Sequence, residues 1–424
     1  MQNKSVRIRV HGRTPLSGVY QPGGNANAAQ ALLAAALLTD ATVTLHNMPR
    51  TVSTLAMFDA AGELGAAMDW HDTEVTINGA QITRRVLTHT DSDVSLAAIL
   101  FLPPLLKRRR HVRLEVDFPL NRIRPHLEAM RDLGIDAVAS TGAVEFKAAE
   151  WDRKDIVLTQ ASVTATAIVL MLGAVFGKQT LIHNAACEPH IQELALMLTA
   201  MGAKVDGIGS NVLCIHGASE LGGADVTIRP DHIETASVAA IAAMSGGRVQ
   251  ISGVRADDLR MIAKIFWRLG IQTDLDDTNI FIPRHESLVV SNREEDVDAS
   301  IETAPWPGFP SDLVSVATVI ATQARGTSLI HEKMFSNRLL FVDKLKAMGA
   351  QIVLCDPHRA IVIGRTPLRG IYMDSPDVRA GIGMLAAALV AEGDSVIDNA
   401  QALEHTFAGV IDKLKALNAG ITIE

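Results

Sequence analysis

Three features of the sequence predict an α/β chain of two domains. One pattern recurs six times along 424 residues, the strands of the copies share a register, and the length exceeds what one hydrophobic core usually serves. Each copy reads as an apolar helix-like run, a short alternating strand, a second amphipathic helix ending in a Leu-Gly-type stop, and a closing pair of strands. The stops fall at Gly65, Gly134, Gly202, Gly270, Gly349 and, with Asn in place of Gly, at Asn418. Their spacings are 69, 68, 68, 79 and 69 residues, the regularity of an internal repeat.

The alternating strands are Val43–Asn47, Val112–Val116, Thr180–Asn184, Val249–Ser252, Ser328–Glu332 and Ser395–Asn399. Their period of two puts one face in a core and the other in a wetter place. The helix that follows each strand spaces its apolar residues three or four apart, as in Leu340, Val342, Leu345 and Met348. Its closing Gly or Asn accepts the left-handed conformation of a C-cap. A unit of about 70 residues has a marginal core alone, so units must pack on one another. Three units per domain give two domains.

The composition sets limits. A net charge of -8 argues against nucleic acid as a partner. Lys107-Arg108-Arg109-Arg110-His111 is the one basic cluster and reads as a solvated helix end and loop. The 3 cysteines, Cys187, Cys214 and Cys355, lack CxxC spacing, which points to a reducing cytoplasm without a zinc site. Residues Met1 to Val10 are charged and strand-like, so no signal peptide is expected. The most apolar stretch, Ala165 to Gly177, is too short to cross a bilayer and reads as a buried helix; no membrane partner is expected. No histidines pair at metal-ligand spacing; His183 and His190 read as surface or strand-face residues.

The long interval carries an insertion around Asn292 to Asp312, and insertions in a regular array often carry function. Thr303-Ala304-Pro305-Trp306-Pro307-Gly308-Phe309-Pro310-Ser311-Asp312 makes a stiff loop that presents Asp312 at the start of an apolar helix, Leu313 to Thr322. Asp312 reads either as an N-cap or as a catalytic base.

The repeats resemble a known family when taken with Asn184-Ala185-Ala186-Cys187-Glu188-Pro189, Pro230-Asp231-His232-Ile233-Glu234-Thr235, Pro310-Ser311-Asp312, Phe335-Ser336-Asn337-Arg338 and Asp377-Val378-Arg379-Ala380. The chain is similar to the UDP-N-acetylglucosamine enolpyruvyl transferases of peptidoglycan synthesis, sisters of 5-enolpyruvylshikimate-3-phosphate synthase. The resemblance implies a two-domain inside-out α/β barrel of six βαβαββ repeats, three per domain, with helices inside and sheets outside. Residues 23–229 would form one domain, with a mobile loop near 117–125, and residues 1–22 with 230–424 the other. Family enzymes bind the UDP-sugar and then phosphoenolpyruvate in the cytoplasm, and join the sugar hydroxyl to the enolpyruvyl carbon by addition and elimination of phosphate. They use no metal or redox cofactor.

By the same resemblance Asp312 is the base that accepts the hydroxyl proton, Arg338 and Arg379 hold the substrate carboxylate, and Asp377 assists near the reacting carbon. Asn27 matches a cleft asparagine. Ser162, Val163 and Thr164 match the segment that receives the diphosphate at a helix N-terminus. In the loop Glu115 to His126, Asp117 is the candidate acid, and either Arg122 or Arg124 is the loop arginine.

Departures accompany the matches. A family lysine is Ala26, and family arginines are Leu96 and His405; another lysine is Gln160, and a glycine is Thr164. The first three changes remove fixed charge from a phosphate site, where each charge-assisted bond is worth about 1.5–3 kcal/mol. Three activities fit this sequence: enolpyruvyl transfer to a nucleotide or UDP-sugar, a same-fold enzyme acting on a carboxylate or enolpyruvyl ether without a phosphate pocket, and a non-catalytic nucleotide-binding paralogue.

Overall fold

The computed structural model describes residues 6–89, 96–291, 300–374 and 380–424. Contacts divide the chain into two compact units, Gly24–Arg229 and Met1–Gly23 with Pro230–Glu424. All six repeat stops are left-handed: φ is 104, 88, 115, 89 and 100° at Gly65, Gly134, Gly202, Gly270 and Gly349, and 67° at Asn418. Each ends the second helix of its repeat, where a residue tolerant of positive φ lets the chain reverse into the closing hairpin.

In the unit Gly24–Arg229, three four-stranded sheets repeat one plan. In the middle repeat, strand His111–Val116 lies parallel to Val86–His89 and antiparallel to Ala143–Lys147, which forms a hairpin with Asp136–Ser140. The third repeat does the same with Gly177–His183, Trp151–Val157, Val212–His216 and Lys204–Asp206. The first repeat takes its parallel strand, Asp225–Thr227, from the end of the unit, so the array closes on itself.

The other unit closes by a different route. Its fourth-repeat strand Arg248–Ser252 takes Ser17–Tyr20 as parallel neighbour, and the sixth-repeat strand Asp394–Ile397 pairs antiparallel with Ile8–His11. The start of the chain therefore completes both the first and the last sheet of this unit. The fifth repeat adds Ser300–Glu302, which runs parallel to Ala324–His331.

Sheets cover the helices. His232–Met244, Val314–Gln323 and Gly381–Val390 pack on one another and are buried along nearly their whole lengths. A Cβ at Gly383 would come within 2.6 Å of the Ser315 Cβ, which explains why only small residues meet there. Ala26–Ala36 and Val163–Phe176 are the matching buried helices of the other unit, and helix Pro189–Ala200 packs against both. The second repeat begins with a 3-10 turn, Leu96–Phe101, and becomes an α-helix only at Leu102–Arg109, with prolines in its first turn where no N–H is needed. Among the described residues no helix is long and apolar enough to cross a membrane.

Two expectations need correction. Arg108 is not solvated: its side chain is 12% exposed and donates to the carbonyls of Leu37 and Thr39 and to Asp40. It satisfies the carbonyls that end helix Ala26–Ala36, a use of cations favoured by the helix dipole. His190 is buried in helix Pro189–Ala200 rather than surface-facing, because it falls on the side of that helix turned to the core.

Candidate active site

Residues 292–299 of the insertion lie outside the described residues; its remainder runs from strand Ser300–Glu302 through a loop to helix Val314–Gln323. Thr303 anchors it: its N–H donates to the His331 carbonyl and its hydroxyl accepts from the Lys333 N–H. Ser311–Leu313 is a 3-10 turn, and the helix begins after Leu313 without a side-chain cap. Asp312 is therefore not the N-cap. Its carboxylate instead accepts from Arg338 Nη1 at 2.9 Å and stays half exposed, while the Arg338 side chain is only 10% exposed. The guanidinium carbon of Arg338 lies 4.7 Å from the Phe335 ring centroid, and its Nε has no partner among the described residues. The base candidate and the candidate carboxylate clamp thus stand in direct contact.

Behind them is a residue that sequence reasoning passed over. Glu332 is fully buried, takes the Ser311 hydroxyl on one carboxylate oxygen at 2.6 Å, and takes the N–H groups of Met334 and Phe335 on the other at 2.8 and 3.0 Å.

The N-terminus of helix His232–Met244 belongs to the same unit. Asp231 caps it, accepting from the N–H groups of Ile233 and Glu234, and its own N–H donates to the Gly23 carbonyl. Burial pushes the Asp231 carboxyl up to about 7, against the two amide bonds and with help from the charges of Glu234 and Asp312. His232 meets the edge of Trp306 in the insertion loop, with ring centroids 5.5 Å apart. Buried Glu234 receives the Tyr20 hydroxyl, the Gly23 N–H and, at 2.8 Å, the Lys413 ammonium. This cluster ties the segment that ends at Gly23 to the one that begins at Pro230. The signal for it in the sequence is Asp231-His232-Ile233-Glu234, part of the motif that carries the family resemblance.

In the unit Gly24–Arg229, Asn27 lies exposed in the first turn of helix Ala26–Ala36, and the cap is Asn25, which accepts from the Ala28 N–H. Gly24 must be glycine, because a Cβ there would fall 2.0 Å from the Asn47 carbonyl oxygen. Ser162 caps helix Val163–Phe176 by accepting from the Ala165 N–H, which leaves its hydroxyl proton for an incoming acceptor. Ser162, Val163 and Thr164 are all partly accessible at this end.

Thr164 meets His126 of helix Arg124–Asp132, with Nε2 at 2.5 Å from the hydroxyl oxygen. Burial drives the His126 imidazole down to about 4, so the ring is neutral at pH 7. His126 Nδ1 faces the Ile123 carbonyl, which can only accept, so Nδ1 carries the proton and Thr164 donates to Nε2. The Thr164 hydroxyl proton is therefore committed within the protein.

Glu128 makes a second link between these elements, accepting from Arg124 Nε at 2.6 Å and from the Thr159 hydroxyl at 3.0 Å. Arg124 is thus engaged along its own helix. Arg122 lies exposed in the 3-10 turn Leu120–Ile123, its guanidinium carbon 5.2 Å from the Phe118 ring centroid. Asp117 is exposed immediately after strand His111–Val116, one residue from that ring.

Asp377 and Arg379 lie outside the described residues. His405 ends the 3-10 segment Ala400–His405, and burial holds its imidazole below the usual range, so it does not supply the fixed charge of an arginine. Ala26 is buried at the first position of its helix, and the side chain of Leu96 lies outside the described set.

The arrangement can do acid–base chemistry on an anionic substrate. Asp312 and Arg338 set a half-exposed carboxylate beside a guanidinium that is largely buried. Taken by itself, the unit Gly24–Arg229 offers an anion a helix N-terminus with a hydroxyl donor. Among the described residues no group of three or more His, Cys, Asp or Glu side chains could hold a metal ion.

Comparison with known proteins gives a consistent result. The family model for EPSP synthase (3-phosphoshikimate 1-carboxyvinyltransferase) matches residues 10–414. UDP-N-acetylglucosamine 1-carboxyvinyltransferase of Bradyrhizobium diazoefficiens is 41% identical, over 98% of this chain and 97% of that protein. The protein of the same name from Treponema denticola is 38% identical, over 98% of each. Among solved structures, the enolpyruvyl transferase NikO from Streptomyces tendae superposes with a TM-score of 0.87 at 22% identity over 99% of each chain. EPSP synthase from Acinetobacter baumannii superposes with a TM-score of 0.75 at 17% identity, over 99% of this chain and 100% of the other. These two establish the two-domain α/β fold alone. The family match and the near-full-length identity establish that the chain belongs to the EPSP synthase family, on the branch of the UDP-N-acetylglucosamine 1-carboxyvinyltransferases.

Proposed function

We propose that this chain is an enolpyruvyl transferase that moves the enolpyruvyl group of phosphoenolpyruvate to a hydroxyl of UDP-N-acetylglucosamine and releases phosphate. The observation that carries this is 41% identity over 98% of the chain to a protein named for that reaction. The Asp312–Arg338 pair supports it chemically, because the reaction needs a base beside a carboxylate-binding cation.

In this reading Asp312 takes the proton of the attacking sugar hydroxyl as its oxygen bonds to the central carbon of phosphoenolpyruvate. The methylene carbon gains a proton in the same addition, and Asp117 is the acid we assign to that step. Elimination then expels phosphate with the electron pair of the C–O bond, the methyl group gives back a proton, and the double bond re-forms. Arg338 and Arg379 hold the carboxylate, the unfilled Nε of Arg338 being one donor for it. Asp377 assists at the reacting carbon, and Asn27 and His405 are assigned to the substrate.

Ser162 and the N–H groups of Val163 and Thr164 would receive the diphosphate; commitment of the Thr164 hydroxyl to His126 makes Ser162 the hydroxyl donor. Either Arg122 or Arg124 is the loop arginine, Arg124 having to leave Glu128 to reach a substrate. Both substrates are phosphorylated anions that do not cross a bilayer unaided, which supports a cytoplasmic location for the enzyme. The test is phosphate release from phosphoenolpyruvate in the presence of a panel of nucleotides and UDP-sugars. Release that depends on UDP-N-acetylglucosamine supports the assignment; release with another acceptor alone, or with none, overturns it.

A further inference from the structure

Asp312 and Arg338 sit on different loops, and both loops lead back to one side chain. Glu332 is fully buried at the end of strand Ala324–His331. One of its carboxylate oxygens accepts from the hydroxyl of Ser311, the residue before Asp312. The other accepts from the N–H groups of Met334 and Phe335, and the Phe335 ring is the platform on which the Arg338 guanidinium lies. The backbone of Glu332 is itself fixed: its N–H donates to the His358 carbonyl, and its carbonyl accepts from His358 Nδ1 at 2.9 Å. A carboxylate with three donors at 2.6–3.0 Å and no exposure has little freedom to move.

We infer that Glu332 is a positioning residue for the transfer reaction, clamping the Asp312 turn and the Phe335–Arg338 turn to one rigid point so that base and guanidinium keep their mutual geometry. The inference rests on the roles proposed for Asp312 and Arg338. Glu332 touches no substrate. It acts through Ser311 and Phe335, and a general base displaced by as little as an ångström loses much of its rate.

The test uses Glu332→Gln, which keeps the volume but replaces one acceptor oxygen with a donor, and Ser311→Ala, which removes a single tether and decides the matter if the first variant does not fold. Turnover should fall about tenfold in Ser311→Ala and further in Glu332→Gln, the loss of a hydrogen bond to a charged group read as a rate. The KM for the nucleotide sugar should stay unchanged. The crystal structure of Ser311→Ala should show the Asp312 carboxylate moved away from Arg338 Nη1. Unchanged turnover with the Asp312–Arg338 contact intact overturns the inference, as does a loss confined to melting temperature. Wild-type protein without turnover would instead sink the proposed function, and the variant crystal structure would still decide whether Glu332 sets the pair.

Discussion

Replacing His126 with Gln should change how the stability of the unit Gly24–Arg229 responds to acid. The imidazole is 5% exposed and burial lowers its pKa to about 4 from the ordinary 6.5. Between those values the unfolded chain binds the proton and the folded chain does not, so folding stability rises with pH across the window and falls on acidification. The shift corresponds to about 3 kcal/mol in full, at about 1.4 kcal/mol per pH unit, and about 2 kcal/mol of it is lost between about pH 7.5 and about pH 5. Glutamine does not titrate, so His126→Gln should lack this dependence. It should cost only about 1 kcal/mol near neutrality, from the hydrogen bond to Thr164. Urea unfolding of both proteins at several pH values measures the difference. If the two curves stay parallel from about pH 7.5 to about pH 5, His126 is not buried neutral and the argument that commits the Thr164 hydroxyl fails.

Asp231 should show the opposite sign. Its folded pKa of about 7 lies above the unfolded 3.8, so its contribution is full below the lower value and is lost as pH rises through about 7; Asp231→Asn should gain stability relative to wild type as pH is raised through that window, measured by the same titration. Arg338→Ala should weaken phosphoenolpyruvate binding about tenfold or more in calorimetry, by loss of a charge-assisted donor, and unchanged affinity would remove Arg338 from the clamp. Ala26→Lys with His405→Arg should tighten phosphoenolpyruvate binding in the same assay; no gain, together with wild-type affinity for pyruvate and none for phosphoenolpyruvate, would favour an enzyme without a phosphate pocket. The loop that carries Asp117 has no cysteine, so the cysteine-alkylating inhibitor fosfomycin should leave turnover unaffected and intact mass unchanged.

The repeat plan was legible because it is written locally. Alternation marks a strand, and a glycine or asparagine at a fixed interval marks a helix stop, so Gly65 through Asn418 could be read without any partner in view. What pairs with what was not legible. The strand-like start of the chain was evident, yet nothing in Ile8–His11 or Ser17–Tyr20 announces neighbours at Asp394–Ile397 and Arg248–Ser252. Those contacts are long-range, and alternation marks a face, not a partner.

The candidate site divides along the same line. Asp312 and Arg338 carried a family signature, and their contact puts the cap reading of Asp312 aside. Glu332 and His126 carried no local signal, because a buried polar residue is defined by the partners that tertiary structure brings to it. Arg108 was misjudged for the same reason: a charge run looks solvated until a helix end needs its donors.

The most direct test of the account follows the atoms. Phosphoenolpyruvate labelled with heavy oxygen at the bridging position is incubated with UDP-N-acetylglucosamine and the wild-type protein, and both products are analysed by mass. Addition and elimination break the C–O bond, so the released phosphate should carry the label and the nucleotide sugar should gain the mass of one enolpyruvyl group. Unlabelled phosphate, or a nucleotide sugar of unchanged mass, would contradict enolpyruvyl transfer by this chain.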